Sequence, residues 1–309
     1  MQTQKTPITR SNQHAYRAGK APTDFQQEVT DRIIVLIEEG GLSWVKTWTT
    51  TGGLPLNVMT GKPYQGMNIV LLKMSAHCNS NLWLTYKQAQ SMGGNVRKGE
   101  HGERCFYYKM VEKNTTNDQG EKESYPMLKQ FVVFNSTQIE GIEFPHTAER
   151  IVNTTFEKHA SAEMLVSRTG AKIEYRESDT AVYREHTDTV YMPLREQFAN
   201  EEEFYSTVFH ELAHWTGATH RLDRANNSRF GAHDYAFEEL VAELTSAFIM
   251  THLGLEKHVI KNHAAYVNSW LKKLRSDKTA IFRAASAASK AFAMIVKLDS
   301  CEGESDTPQ

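Results

Sequence analysis

The sequence predicts an α+β protein of two domains, and its length, composition and charge distribution lead to that prediction. The chain has 309 residues, which exceeds the usual size of a single domain. Hydrophobic residues make up 40% of it and charged residues 23%, enough for a packed core. Residues 1–150 hold 17 basic and 14 acidic side chains, a net of +3, and the whole chain has −2, which leaves −5 for the remainder. Nine of the 13 histidines lie in that acidic remainder, so we expect the two domains to do different work.

The first predicted domain spans residues 24–145 and follows a polar, aperiodic tail, residues 1–23. Its opening helix is predicted because Asp24 can cap it and apolar residues recur on one helical face. A long polar run separates its two predicted strands and is expected to form an exposed hairpin tip. The predicted elements are helices at Asp24–Glu39, Met67–Ala76 and Lys87–Met92, and strands at Cys105–Val111 and Met127–Asn135.

The second predicted domain spans residues 150–298 and is followed by a second polar tail, residues 299–309. It begins with a helix, continues with short strands and ends with four helical patterns. Thr189–Pro193 is expected at the edge of its sheet, where a peptide can add as a further strand. The predicted elements are a helix at Thr154–Thr169, strands at Lys172–Tyr175, Ala181–Arg184 and Thr189–Pro193, and helices at Glu201–Thr216, Tyr235–Leu253, His263–Arg275 and Thr279–Val296.

The sequence contains no segment typical of a membrane or secreted protein. Its longest apolar stretch, Asn68–Ala76, includes a lysine and is far shorter than the ~20 residues of a membrane-spanning helix. The N-terminal residues lack the apolar segment of a signal peptide. The cysteines, Cys78, Cys105 and Cys301, are odd in number and form no CxxC pair, so a disulfide framework is not expected. We therefore expect a cytoplasmic protein without a membrane partner.

The pentapeptide HELAH, His210–His214, is the strongest chemical signal in the sequence. An asparagine before three glutamates is typical of a helix start and a glycine of a helix end, so a helix is predicted around it. Four residues apart on a helix, His210 and His214 project from one face and can bind the same metal ion. Glu211 can take a proton from water at that metal, which is the HExxH arrangement of metal hydrolases. The alternative is a chance match on an ordinary surface helix.

The third metal ligand has three candidates. Glu239 and Glu243 lie four residues apart on the next predicted helix, whose other face is apolar and can pack on the histidine helix. His220 fits the longer pattern HExxHxxGxxH, but that pattern usually comes with a later Met-containing turn. Arg221 and Arg224 beside His220 would also repel a dication. We predict Glu239 as the ligand, with Glu243 and His220 as alternatives, and zinc, or another divalent metal such as manganese, as the cofactor.

A basic and aromatic segment of the first domain is typical of a protein that binds single-stranded DNA. No aspartate or glutamate occurs between Gly40 and Gly99. Cations there can bind phosphates, and flat rings, which include Trp83 and Tyr86, can stack on unpaired bases. Alternatively, the rings belong to the core and the cations to a solvated face. The residues predicted to bind DNA are Trp44, Lys46, Trp48, Lys62, Tyr64, Lys87, Arg97 and Lys98.

Several sequence motifs are distributed along most of the chain. In the first domain they are Leu42–Trp48 (LSWVKTW), Gly53–Asn68, Trp83–Gly102 and Phe131–Asn135 (FVVFN). In the second they are His210–Gly217 (HELAHWTG), Arg221–Arg224, Phe230–Gly231, Glu238–Glu243 (EELVAE) and His263–Asp277. Together these motifs resemble those of the ArdC family of plasmid antirestriction proteins, whose N-terminal domain is related to one in plasmid-borne primases. The resemblance covers residues 24–298, in the family's order.

The resemblance implies a single-stranded-DNA-binding domain followed by a zincin-like metallopeptidase domain. It implies an accessory of conjugation that shields entering plasmid DNA from host restriction, with single-stranded DNA as one partner. The family pattern also favours a glutamate over His220 as third ligand. Two functions follow as hypotheses: a peptidase that disables a host restriction-system protein, with Glu211 as general base, or a DNA-coating protein whose metal is structural or regulatory.

Overall fold

The first domain combines short helices with a mixed sheet. The computed structural model describes residues 24–40, 53–116, 122–144, 155–224, 232–255 and 264–296. In chain order this domain contains α1 (Phe25–Gly40), β1 (Leu56–Asn57), α2 (Met67–Lys73), β2 (Leu82–Thr85), α3 (Tyr86–Ser91), β3 (Asn95–Val96), β4 (Glu103–Thr116), β5 (Lys122–Asn135) and β6 (Ile139–Glu140).

The main sheet of this domain has the strand order β1-β2-β5-β4, and β3 pairs separately with β6. β5 pairs antiparallel with both β2 and β4, and β1 pairs parallel with β2. The β4–β5 hairpin is longer than predicted, because the polar run continues the ladder, with Glu112 opposite Ser124 and Thr116 opposite Lys122. The predicted hairpin is present, but its tip is shorter than the whole polar run, because antiparallel pairing uses backbone hydrogen bonds, which do not require apolar side chains. Residues 117–121, between the paired ends, lie outside the described residues.

The second domain places a small sheet against a group of helices. Its elements begin and end within a few residues of the predicted ones, and the helix predicted to start at Tyr235 starts three residues earlier, at Ala232. In chain order they are α4 (Thr155–Thr169), β7 (Lys172–Arg176), β8 (Val182–Arg184), β9 (Thr189–Pro193), α5 (Glu201–Thr216), α6 (Ala232–Leu253), α7 (Ala264–Ser276) and α8 (Ala280–Val296).

Strand β9 lies in the middle of its sheet, which has the order β7-β9-β8. It pairs parallel with β7 and antiparallel with β8. The expectation that Thr189–Pro193 forms an edge was therefore wrong. Four of its five residues are buried, as is usual for a strand that is paired on both sides, and the edges belong to β7 and β8.

One hydrophobic cluster extends across both domains. It joins Phe25, Val29 and Ile33 of α1 to buried residues of α5, α6, α7 and α8. The Phe282 ring of α8 lies 5.2 Å from the Phe106 ring of β4 and 6.4 Å from the Phe25 ring. Since the first helix buries its apolar stripe on C-terminal helices, the two domains depend on each other's packing.

Within the described ranges, no single helix is long and apolar enough to cross a membrane. One pair of helical segments, Val267–Ser276 and Ala280–Val296, passes by length and composition only when taken together, and it is bent by 116°.

Candidate metal centre

Helix α5 presents both histidines of HELAH on its inner face. The helix begins where the Asn200 side chain accepts a hydrogen bond of 2.8 Å from the Glu203 backbone, and it ends at Gly217. His210 and His214 are one turn apart, and their Nε2 atoms lie 3.1 Å from each other. This confirms the predicted helix and brings two nitrogen donors to one point.

Helix α6 packs across α5 and adds a carboxylate to the two imidazoles. Glu239 Oε2 lies 3.5 Å from Nε2 of His210, and its Oε1 lies 3.4 Å from Nε2 of His214. One donor atom from each of these residues lies within 4.8 Å of the others, and His210 and Glu239 are each 4% exposed. Two nitrogens and one oxygen in a buried position are a donor set that suits zinc and other divalent metals, so these residues fit a metal ion.

Two further glutamates of α6 face the outer nitrogens of the same histidines. Glu243 Oε1 lies 2.9 Å from Nδ1 of His210, and Glu238 Oε1 lies 3.6 Å from Nδ1 of His214. With a carboxylate at each Nδ1, both Nε2 atoms are left to face Glu239 as donors to a metal. Glu238 belongs to the same acidic run as Glu239 and Glu243, but it was not among the predicted site residues.

The charged side chains of this cluster shift one another's pKa values. Burial disfavours the charged form of His214, but Glu238 and Glu239 outweigh it and raise its pKa to about 10. The pKa of His210 is also raised, since Glu239 and Glu243 outweigh the effect of burial. Burial would raise the pKa of Glu239, yet the two histidines hold it far below its usual range. Such a concentration of buried, mutually dependent charges is typical of a metal or catalytic site.

Glu211 lies beside the cluster and faces the small sheet. Its Oε2 accepts a hydrogen bond of 2.7 Å from the backbone N–H of Tyr183 in β8, and the residue is 7% exposed. None of the three ligand atoms of the cluster comes from Glu211. The carboxylate is thus held at the edge strand of the sheet, next to the histidines that flank it in the helix.

The alternative third ligands occupy different positions. Glu243 contacts the outer nitrogen of His210 and is absent from the three-ligand cluster. The His220 side chain is 62% exposed, and its Nε2 lies 3.4 Å from Asp188 Oδ2. The geometry therefore favours Glu239, and the assignment of His210, His214 and Glu239 stays a prediction that metal analysis can test.

The predicted DNA-binding residues are only partly covered by the structure. Trp44, Lys46 and Trp48 lie outside the described residues. The four predicted cations that are described are all exposed, and Arg97 forms an ion pair of 2.9 Å with Glu100. These four are Lys62, Lys87, Arg97 and Lys98.

The aromatic residues of this segment are distributed differently from our expectation. Tyr64 is 4% exposed and packs in an interior cluster with Trp83, and its hydroxyl accepts a hydrogen bond of 3.3 Å from Asn57. The expectation that Tyr64 stacks on bases is therefore corrected, because its ring presents no free face. Tyr86 was not among the residues predicted to bind DNA. It is 48% exposed and is the one exposed aromatic among the described side chains of residues 24–144.

Comparison with known proteins relates both domains to known protein families and most of the chain to known proteins. Residues 23–134 match the model of the N-terminal domain of the anti-restriction factor ArdC, and residues 160–287 match the zincin-like metallopeptidase model. The chain is 36% identical over 284 residues to protein y4eC of Sinorhizobium fredii, a match that covers 88% of this chain and 91% of that protein. It is 35% identical over 306 residues to DNA primase TraC of Escherichia coli and spans only 28% of that primase.

Two crystal structures of the antirestriction protein ArdC from plasmid R388 have the same architecture. The metal-free structure superposes with a TM-score of 0.73 at 36% identity, covering 89% of this chain and 97% of that one. The Mn(II)-bound structure superposes with a TM-score of 0.72 at the same identity and coverage. Fold and site thus define a two-domain protein with a zincin-like metallopeptidase domain. The chain belongs to the ArdC family of antirestriction proteins, which confirms the resemblance.

Proposed function

We propose that this protein binds single-stranded DNA and hydrolyses a peptide bond in a host restriction-system protein. It would thereby protect plasmid DNA that enters the cytoplasm during conjugation. The observation that supports the peptidase activity is the buried cluster of His210, His214 and Glu239 with Glu211 beside it. A metal ion is implied by the zincin-like domain and by the Mn(II)-bound relative, and we propose zinc as the native metal.

The proposed chemistry assigns one task to each side chain. His210, His214 and Glu239 hold the divalent ion, which when bound polarises a carbonyl and makes water more acidic. Glu211 accepts a proton from the attacking water at a carboxylate oxygen and delivers it to the amine nitrogen that leaves when the C–N bond breaks. Because Tyr183 of edge strand β8 holds Glu211, we propose that the substrate lies along β8.

The proposed DNA site lies in the first domain. The segment without acidic residues contributes the exposed cations Lys62, Lys87 and Lys98. Asn57 links the loop of Lys62 to α3, because its backbone N–H bonds to the Lys62 carbonyl and its amide bonds to Gln88. Lys87 directly follows the exposed Tyr86 in the chain, and cations together with an exposed ring are the combination that unpaired nucleotides require.

Glu211→Ala tests the peptidase part of this proposal. The variant should fold and bind metal as the wild type does, because Glu211 is not a ligand, yet restriction protection in recipient cells should be lost. Hydrolysis of the host protein should fall by at least ~10²-fold. Glu202→Ala is the matched control, since Glu202 lies on the same helix and contacts His159 at 3.6 Å, remote from the cluster.

Full restriction protection by Glu211→Ala would contradict proteolysis. It would favour the second candidate, a DNA-coating protein whose metal site is structural or regulatory. Retention of DNA binding together with loss of protection would support the peptidase.

A further inference from the structure

Arg224 reaches the metal centre through Glu238. Its Nη2 donates to Glu238 Oε1 at 2.7 Å, and its Nε donates to Glu238 Oε2 at 3.1 Å. This two-pronged contact fixes the plane of the carboxylate, as an arginine fork does and a lysine does not. The fixed Oε1 is the atom that faces Nδ1 of His214.

The same guanidinium also binds the end of the histidine helix. Its Nη1 donates to Thr216 Oγ1 at 2.9 Å, and its Nη2 donates to the Ala213 carbonyl at 2.6 Å. Ala213 precedes His214, and Glu238 precedes Glu239. Arg224 therefore connects the backbone beside one predicted ligand to the side chain beside another, and it is 11% exposed.

Gly217 provides the space that this arrangement needs. A Cβ atom at this position would lie 2.9 Å from Arg224 Nη2, 3.0 Å from the His214 carbonyl and 3.1 Å from Glu238 Oε1. Its φ of −77° is open to any residue, so the glycine is required here by the close approach of neighbours and not by backbone conformation.

We propose that Arg224 and Glu238 are positioning residues for the metal, which hold His214 so that its Nε2 faces Glu239. This inference rests on the proposed metal site of His210, His214 and Glu239. It makes the affinity for metal depend on an arginine that touches neither the ion nor any of the three ligands. Removal of a carboxylate that orients a ligating histidine typically weakens metal binding by ~10–100-fold.

Zinc affinity, measured by competition with a chromogenic chelator on the full chain, tests the proposal. Glu238→Gln removes the charge and keeps the shape, and Arg224→Lys keeps the charge and removes the fork. Gly217→Ala displaces both residues without deleting either. Each variant should bind zinc ~10–100-fold more weakly than the wild type.

Arg195→Lys is the matched control, because Arg195 makes a similar contact between α4 and α5. It binds Glu163 and the Tyr205 hydroxyl, and it contacts none of the three predicted ligands. This control should bind zinc as the wild type does. Melting of the metal-free proteins separates a loss of positioning from a loss of folding.

Wild-type zinc affinity in both Glu238→Gln and Arg224→Lys would overturn the proposal. A lower melting temperature of the metal-free variants with unchanged zinc affinity would also overturn it, because Arg224 would then only cap the helix. If one variant fails to fold, the zinc affinities of the other two variants test the proposal. Peptide hydrolysis takes no part in this test, so its outcome is distinct from that of Glu211→Ala.

Discussion

At the scale of single residues, the candidate metal centre buries several charged side chains. His210 and Glu239 are each 4% exposed, and Glu243 is 2% exposed. Isolated buried charges are strongly unfavourable, whereas opposite charges in contact offset most of that cost. The three residues are therefore interdependent, and each single substitution should affect its partners as well.

Glu239→Ala should reduce bound metal to near background, because it removes one of the three predicted donors. His220→Ala should leave about one metal per chain, since its imidazole faces Asp188 and lies outside the cluster. Glu243→Ala should retain the site with ~10–100-fold weaker affinity. Elemental analysis of the purified variants measures the metal bound per chain. Metal lost only in the His220 variant would reverse the assignment, and complete loss in Glu243→Ala alone would make Glu243 the ligand.

Tyr86→Ala should weaken binding of single-stranded DNA by ~1–3 kcal/mol, the usual contribution of one stacked base. The Tyr86 ring is 48% exposed, and the Phe134 ring supports it at 6.5 Å. Met92→Ala is the control, because Met92 is a 38% exposed apolar residue without a flat ring. Fluorescence anisotropy with a labelled oligonucleotide gives both affinities. Equal affinities for the two variants would rule out stacking on Tyr86.

At the scale of elements, helix α8 connects the two domains and begins at a charged turn. Asp277 Oδ1 accepts hydrogen bonds from the backbone and the hydroxyl of Thr279, and Oδ2 binds Arg283. Burial raises the pKa of Asp277, but the Thr279 hydrogen bonds and Arg283 outweigh it and lower that pKa below its usual value. A carboxylate whose pKa is lower in the folded state stabilises that state only while it is ionised.

Asp277→Ala should lower the free energy of unfolding by ~1 kcal/mol at neutral pH. The difference from wild type should be fully present above the unfolded pKa of about 3.9 and should vanish as the pH falls through the lower folded pKa. Urea unfolding at a series of pH values measures it. Asp277→Asn keeps the acceptor without the charge and should depend less on pH. A difference that stays constant at acidic pH would contradict this account.

At the scale of the whole molecule, the two domains share one core. Phe282→Ala removes a ring that contacts Phe25 and Phe106 of the first domain and should cost ~3–5 kcal/mol. Both domains should lose stability together, so tyrosine fluorescence and metal release should follow one transition on heating. Val35→Ala, at a 48% exposed position, is the control and should have little effect. Two separate transitions, of which only one shifts, would show that the domains unfold independently.

Local sequence patterns determined most of the helices and the position of the HExxH motif. The spacing of His210 and His214 places them on one face of any helix, whatever surrounds it. Glu211 and the acidic run of α6 were likewise evident, because HExxH and EELVAE are contiguous. Fold class and family also followed from the sequence, since their signals lie within short segments of the chain.

Contacts between residues far apart in sequence determined the features that the sequence did not predict. Burial of Tyr64, the central place of β9 and the link from Arg224 through Glu238 to His214 all depend on which elements meet. Tyr64 and Tyr86 have the same side chain and lie in the same acid-free segment, yet one is 4% exposed and the other 48%. Composition cannot distinguish them, because burial is determined by packing between segments far apart in sequence, whereas helical periodicity is determined by neighbours within one turn.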